Sequence, residues 1–193
     1  MGVRELSRVL IVSPKQSGEK IASLLDRAGF DPVINVESAG EARRLLSHDS
    51  FDIVIINSPL SDEQGYEFAI DLTERTYCGV LLIVKSEIYD QTRYRVEDEG
   101  VLTLQKPLSV SAFDSAVNLA AATARRLASA EVENEKLRRK LEETRVVSRA
   151  KVILITGRGM TESEAHRFIE KGAMDLRMTR REFAEKIIDE SQE

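Results

Sequence analysis

The sequence predicts an α/β chain: a five-stranded, parallel, doubly wound open sheet, followed by a long coiled-coil helix and a small C-terminal three-helix bundle. Three observations carry that expectation. Five short apolar runs rich in β-branched residues recur before Gln105, amphipathic stretches separate them, and from Ser111 onward no further strand signal occurs. Runs of this kind, nearly free of charge, suit strands covered on both faces. Strands alternating with helices assemble into a parallel sheet.

The runs are 9–12, 33–36, 53–56, 80–84 and 101–104. After the first, Lys20 to Ala28 sets Ile21, Leu24, Leu25 and Ala28 on one helical stripe. Ser38-Ala39-Gly40-Glu41 reads as a capping box opening the second helix, the serine oxygen and the glutamate each satisfying an unpaired backbone N–H. Residues 111–156 contain neither proline nor glycine. One continuous helix of roughly 65–70 Å is therefore allowed, at about 1.5 Å rise per residue, which is too long to pack wholly on its own domain.

A heptad frame places Leu127, Ala130, Asn134, Leu137, Leu141 and Thr144 on one seam of that helix. In the frame Arg126 faces Glu131 of a partner and Glu133 faces Arg138, while Lys140 against Arg145 repels. The expectation is a parallel homodimer held by Leu127, Asn134, Leu137 and Leu141, with Asn134 fixing the register at some cost in stability. A solvated helix lying on its own chain is the alternative. Gly157 and Gly159 stop the helix, and Thr161–Glu164 and Thr179–Glu182 are two further capping boxes. The helices they open carry Ala165, Phe168, Ile169, Gly172 and Ala173 on one face, then Phe183, Ala184, Ile187 and Ile188. With Val152, Ile153 and Ile155 these form a bundle too small to be strongly stable alone. The expected domains are 1–122, 123–148 and 149–193.

Composition narrows the function. The chain of 193 residues is 42% hydrophobic and 32% charged, inside the globular range. A single cysteine, Cys78, excludes an internal disulfide, and two distant histidines, His48 and His166, leave no metal site or cofactor to expect. Neither a signal peptide nor a membrane-length apolar run is visible, so the reading is a cytoplasmic protein with no membrane partner. The net charge of −5 is uneven. Residues 1–124 carry 12 basic and 19 acidic groups, whereas 149–181 carry 8 basic and 4 acidic. The basic tail is the part to pursue.

Lys106-Pro107 after the fifth strand, Gly65 eight residues beyond position 57, and the five-strand plan resemble the receiver domain of two-component response regulators, a flavodoxin-like fold. In that family an aspartate ending the third strand accepts the phosphoryl group and an acidic pair ending the first strand holds magnesium. Here those places read Asn57 and Ser13-Pro14. An amide is a poor nucleophile toward phosphorus, and without the acidic pair no oxygen-anion cluster holds a hard cation. The resemblance implies a degenerate phosphoacceptor pocket of Ser13, Pro14, Asn57 and Lys106, with Lys106 paired to nearby acids or bonded to Asn57. Ser86 is the remaining hydroxyl after the fourth strand. Asp62 and Glu63 are expected to open the third helix by favouring its positive end. Asp52, at the far end of its strand, is too distant to join the pocket.

The stretch Ala150 to Ile188 resembles an ANTAR domain, the RNA-binding module of transcription antitermination regulators. The matching positions are Ala150-Lys151 and Leu154, then Gly159-Met160-Thr161-Glu162, Glu164-Ala165, Ile169, Ala173-Met174 and Ala184-Glu185. Val152 and Ile155 depart from the usual glycine and methionine. The resemblance implies binding to paired stem-loops in nascent leader RNA, which blocks a competing terminator hairpin. Loop bases are unstacked and readable by a few side chains, and a dimer gains from engaging two loops. The candidate RNA-binding residues are Lys151, Arg158, His166, Arg167, Arg177, Arg180 and Arg181, with Lys171 forming either a contact or a solvated pair with Arg167. Met160 and Met174 are expected in the core. Control through a sensor or regulatory protein follows from the lost carboxylates. Two rivals remain: a DNA-binding regulator, disfavoured by the acids of the last helix, and a pure interaction adaptor, which leaves the basic tail unexplained. No nucleophile, base and orienter occur together, so no enzyme is expected.

Overall fold

The computed structural model describes residues 7–25 and 30–191. It forms two compact units, Met1–Ser129 and Ala130–Glu193. The first is a five-stranded parallel sheet in the order β2-β1-β3-β4-β5, built from β1 (Val9–Val12), β2 (Val33–Val36), β3 (Ile53–Asn57), β4 (Gly79–Lys85) and β5 (Leu102–Lys106). The helices are α1 (Lys15–Leu25), α2 (Ala39–Leu46), α3 (Tyr66–Arg75), α4 (Tyr89–Val96) and the start of α5 (Val110–Arg158). Ala28, expected on the α1 stripe, lies outside the described residues.

Alternate residues of β1, β3 and β4 feed two apolar layers. Leu10, Val12, Val54, Ile56, Leu82 and Val84 pack beneath Ala39, Ala42, Phe68 and Leu72 of α2 and α3. Val9, Ile11, Ile53, Ile55, Leu81 and Ile83 pack beneath Ile21, Leu25, Phe113 and Val117 of α1 and α5. The expectation of five strands buried on both faces holds for these three only. β2 and β5 form the sheet edges and are half-exposed, with Asn35 and Gln105 open to solvent, since an edge strand has a neighbour on one side only.

Two end signals also differ from expectation. Ser38 caps α2 by accepting from the Glu41 N–H at 3.1 Å, but the Glu41 carboxylate accepts from Glu37, so the box closes one residue earlier. Asp62 and Glu63 do not open α3. Asp62 accepts from the Ala39 and Gly40 N–H groups at 3.0 and 2.9 Å and so caps α2, while Glu63 pairs with Arg43 at 3.2 Å. These backbone N–H bonds, Gly40 foremost, hold the Asp62 carboxyl below the ordinary aspartate range. α3 starts instead from Gly65 in the left-handed region (φ 87°), where a side chain would also press on Ile56.

The second unit contains the rest of α5, α6 (Glu162–Asp175) and α7 (Arg180–Glu190). Its buried core is Ala150, Leu154, Ala165, Ile169, Ala184, Ile187 and Ile188, with Val146, Val147, Ile153, Met160 and Phe183 against it. Val152 and Ile155, expected in this core, are 58% and 36% exposed. Residues 146, 150, 153 and 154 follow the 3.6 period and face inward, which turns 152 and 155 outward. Gly172 lets α6 approach the Phe183 ring, since a Cβ there would collide with it. Both tail capping boxes form as expected, from Thr161 with Glu164 and from Thr179 with Glu182.

Candidate nucleic-acid interface

The strand ends and the tail have different chemistry. At the carboxyl ends of β1, β3 and β5 sit Ser13, Asn57 and Lys106, with Pro14 following Ser13. Ser13 is fully buried, Asn57 and Ser58 nearly so. The Asn57 amide donates to the Ser13 hydroxyl at 2.8 Å, and Ser13 Oγ lies 3.2 Å from the Pro14 carbonyl. Among the described residues Lys106 neither pairs with an acid nor bonds to Asn57. Its ammonium donates to the Ser58 carbonyl at 2.7 Å, and burial, with the Lys85 charge added, pushes its pKa down from the usual lysine value. Ser86 donates to the Lys106 carbonyl, and Asp52 accepts from the Arg8 N–H at 2.7 Å. No carboxylate contacts Ser13, Asn57 or Lys106, and no group of His, Cys, Asp and Glu suited to a metal occurs among the described residues.

In the tail the basic residues divide into two sets. Five of the expected RNA-binding residues are engaged within the chain, four by carboxylates and one by an aromatic ring. Lys151 lies 3.4 Å from Glu162, and His166 Nε2 lies 3.3 Å from Glu170 with its Nδ1 buried and unpartnered. Arg180, at the start of α7, reaches Glu143 of α5 at 3.1 Å and Glu170 of α6 at 3.8 Å, so it ties the three helices together. Arg181 is bonded to Glu185 at 2.8 Å, which raises its pKa further. Arg158 stacks over the Phe168 ring at 5.4 Å.

The other set is exposed and without ion pairs among the described residues: Arg167, Lys171 and Arg177, with Arg149 on α5 and Lys186 on α7. Arg167, Lys171 and Met174 recur at spacings of four and three and share the outer face of α6. Met174 is 78% exposed, which corrects its expected place in the core, and Leu176 beside it is 55% exposed. Arg177 follows in the left-handed region, φ 52°. The shared face of Arg167 and Lys171 is as expected from the sequence, whereas the open apolar side chains of Met174 and Leu176 beside it are not. Helical phase, counted from Ala165, Ile169 and Ala173, was the signal that turns Met174 outward.

The seam residues Leu127, Asn134, Leu137 and Leu141 are all exposed in the single chain. Glu133, assigned to an interchain pair, lies 3.7 Å from Lys136 of its own helix. Val152 and Ile155 stand about three and four turns beyond Leu141, on the same face and opposite the bundle core.

Residues 135–188 match the ANTAR domain family model. The Transcriptional regulatory protein PdtaR of Mycobacterium tuberculosis is 29% identical over 170 residues, covering 88% of this chain and 82% of that protein. Among solved structures, an adenylate cyclase from Rhodopirellula baltica superposes with a TM-score of 0.60 at 20% identity, covering 68% of this chain and 99% of that one. A response regulator receiver domain protein from Clostridium thermocellum gives 0.56 at 21% identity, covering 63% and 99%. These two likenesses carry the sheet fold and nothing of activity.

Proposed function

We propose that this chain, an ANTAR-domain response regulator, is a non-enzymatic transcription regulator that binds stem-loops of leader RNA and favours antitermination. The observation carrying the reading is the outer face of α6 within the matched domain, where Arg167 and Lys171 stand exposed beside Met174 and without ion pairs among the described residues. Cations free of carboxylates gain most from phosphate, because no ion pair has to break first and counterions are released. Open apolar side chains beside them suit unstacked loop bases.

The exposed seam on α5 supports a homodimer, which places two tails on one transcript. Control passes through a sensor or regulatory protein rather than through phosphorylation, because Ser13, Asn57 and Lys106 are already satisfied by neutral partners. No helix among the described residues is long and apolar enough to cross a membrane, which fits action in the cytoplasm on nascent RNA. The DNA-binding alternative draws little support from α7, where Arg181 is bonded to Glu185 and Glu182, Asp189 and Glu190 add negative charge.

The test is crosslinking and sequencing of cellular RNA with wild type and Arg167→Ala/Lys171→Ala, a pair chosen because Arg180 has a structural tie. Wild type enriches tandem stem-loops just upstream of terminators, and the double variant loses them. With purified hairpins, the slope of log K against log salt falls by about 1–2 in the variant. Recovery of unrelated fragments, or preference for double-stranded DNA in competition, refutes the reading.

A further inference from the structure

The turn joining α6 to α7 holds a residue whose backbone and side chain pull in opposite directions. Arg177 sits at φ 52°, a region where a Cβ is costly and where glycine is the favoured helix-ending residue. The turn is nonetheless firmly built. Leu176 N–H donates to the Gly172 carbonyl at 3.1 Å, Arg177 N–H to Met174 at 3.1 Å and Met178 N–H to Ala173 at 3.0 Å, and the Thr179 capping box begins α7 two residues on. Glycine would satisfy all three bonds with less strain, so the fold itself gives no reason for an arginine. Its side chain is exposed, makes no ion pair among the described residues, and is flanked by the open Leu176 and Met174.

We propose that Arg177 is a specificity-determining residue that reads a base of the RNA loop, with Leu176 and Met174 as the apolar platform beside it. This rests on the RNA-binding reading above. A guanidinium offers a planar, two-pronged donor set that matches the acceptor edge of a base, guanine above all. A turn pinned by three backbone bonds fixes where the side chain starts, so only its rotamers are left to order on binding. Strain retained at a position where glycine serves the fold better is the pattern expected of a functional residue.

Three forms of the full-length protein test this against a hairpin RNA and the same hairpin with its loop sequence permuted. Arg177→Gly keeps or raises Tm, by up to about 4 °C, yet loses at least tenfold in hairpin affinity. Arg177→Lys retains the charge and most of the salt dependence, but its preference for the native loop over the permuted one falls about tenfold or more, since an ammonium lacks the fork. Wild-type affinity and discrimination in Arg177→Lys overturn the proposal and leave a phosphate contact. Wild-type binding by Arg177→Gly, while Arg167→Ala/Lys171→Ala is impaired, overturns it and spares the RNA-binding reading. A wild-type protein indifferent to hairpin RNA removes both.

Discussion

The strand-end pocket of the sheet and the outer face of α6 dispose of their polar groups in opposite ways. In the pocket Asn57, Ser13, Lys106 and Ser58 bond to one another or to backbone, with no carboxylate taking part. On α6 Arg167 and Lys171 point into solvent without a partner among the described residues. A buried polar group left unsatisfied is costly, so loss of charged ligands from a pocket requires neutral replacements. An exposed cation carries no such demand and stays available. Each unit can therefore respond in a different place: the first has closed its strand-end chemistry, and the second keeps the cations of the outer α6 face open.

The contrast extends to stability, and one pair of substitutions gives the largest effect. Leu154 and Ile55 are both buried aliphatic side chains, at 1% and 0% exposure. Truncating either to alanine costs about 2–5 kcal/mol. Leu154→Ala takes that from a small core that includes Ala150, Ala165 and Ala184, so it melts the tail while the sheet's transition stays in place. Ile55→Ala lowers the sheet's transition and leaves the tail standing. Thermal scans by calorimetry and circular dichroism check both. A single transition shifted by either substitution would mean that the two units unfold as one.

A smaller effect comes from restoring one carboxylate. Asn57→Asp sets a negative charge in a site 7% exposed, next to a hydroxyl and with the Lys106 ammonium engaged by Ser58. The expected cost is about 1–3 kcal/mol in urea denaturation at neutral pH. Acetyl phosphate with magnesium should leave the intact mass of both wild type and Asn57→Asp unchanged, because Ser13-Pro14 supplies no carboxylate for the cation. A gain of one phosphoryl group in either protein contradicts the closed-pocket description.

What the sequence made legible was whatever has a short period or a fixed local signature. The five apolar runs became five strands, three of them because strands buried on both faces admit almost no charge, and Thr161–Glu164 and Thr179–Glu182 became capping boxes because both partners are three residues apart. The misses share a different cause. Asp62 caps α2 from 22 or more residues away, and Arg180 reaches Glu143 across 37 positions; no local pattern announces such partners. Val152 and Ile155 were misplaced by hydrophobicity taken without helical phase, and Met174 for the same reason. At the strand ends the residues were found, but the Lys106 bond to a backbone carbonyl was not, since any carbonyl reads alike in sequence.

The two units also differ in how they respond to acid, with the smallest expected effect. Glu164 and Glu182 close the tail's capping boxes, and backbone N–H bonds from Thr161 and Thr179, respectively, with the threonine hydroxyls second, hold both carboxyls below the ordinary glutamate value. A carboxyl depressed in the folded state contributes stability that is fully present above its unfolded value, near pH 4.3, and that is lost as pH falls through the lower folded value. The tail's transition should therefore weaken below about pH 4.3. Both groups are fully exposed, so the shift is modest. Glu164→Gln/Glu182→Gln keeps a side-chain acceptor for each cap while removing the titration, and it should flatten the tail's acid dependence without touching the sheet. Asp62 titrates in the same direction but caps α2, so the sheet's own acid response should survive in the double variant. If that response vanished as well, the two units would not be responding to acid separately.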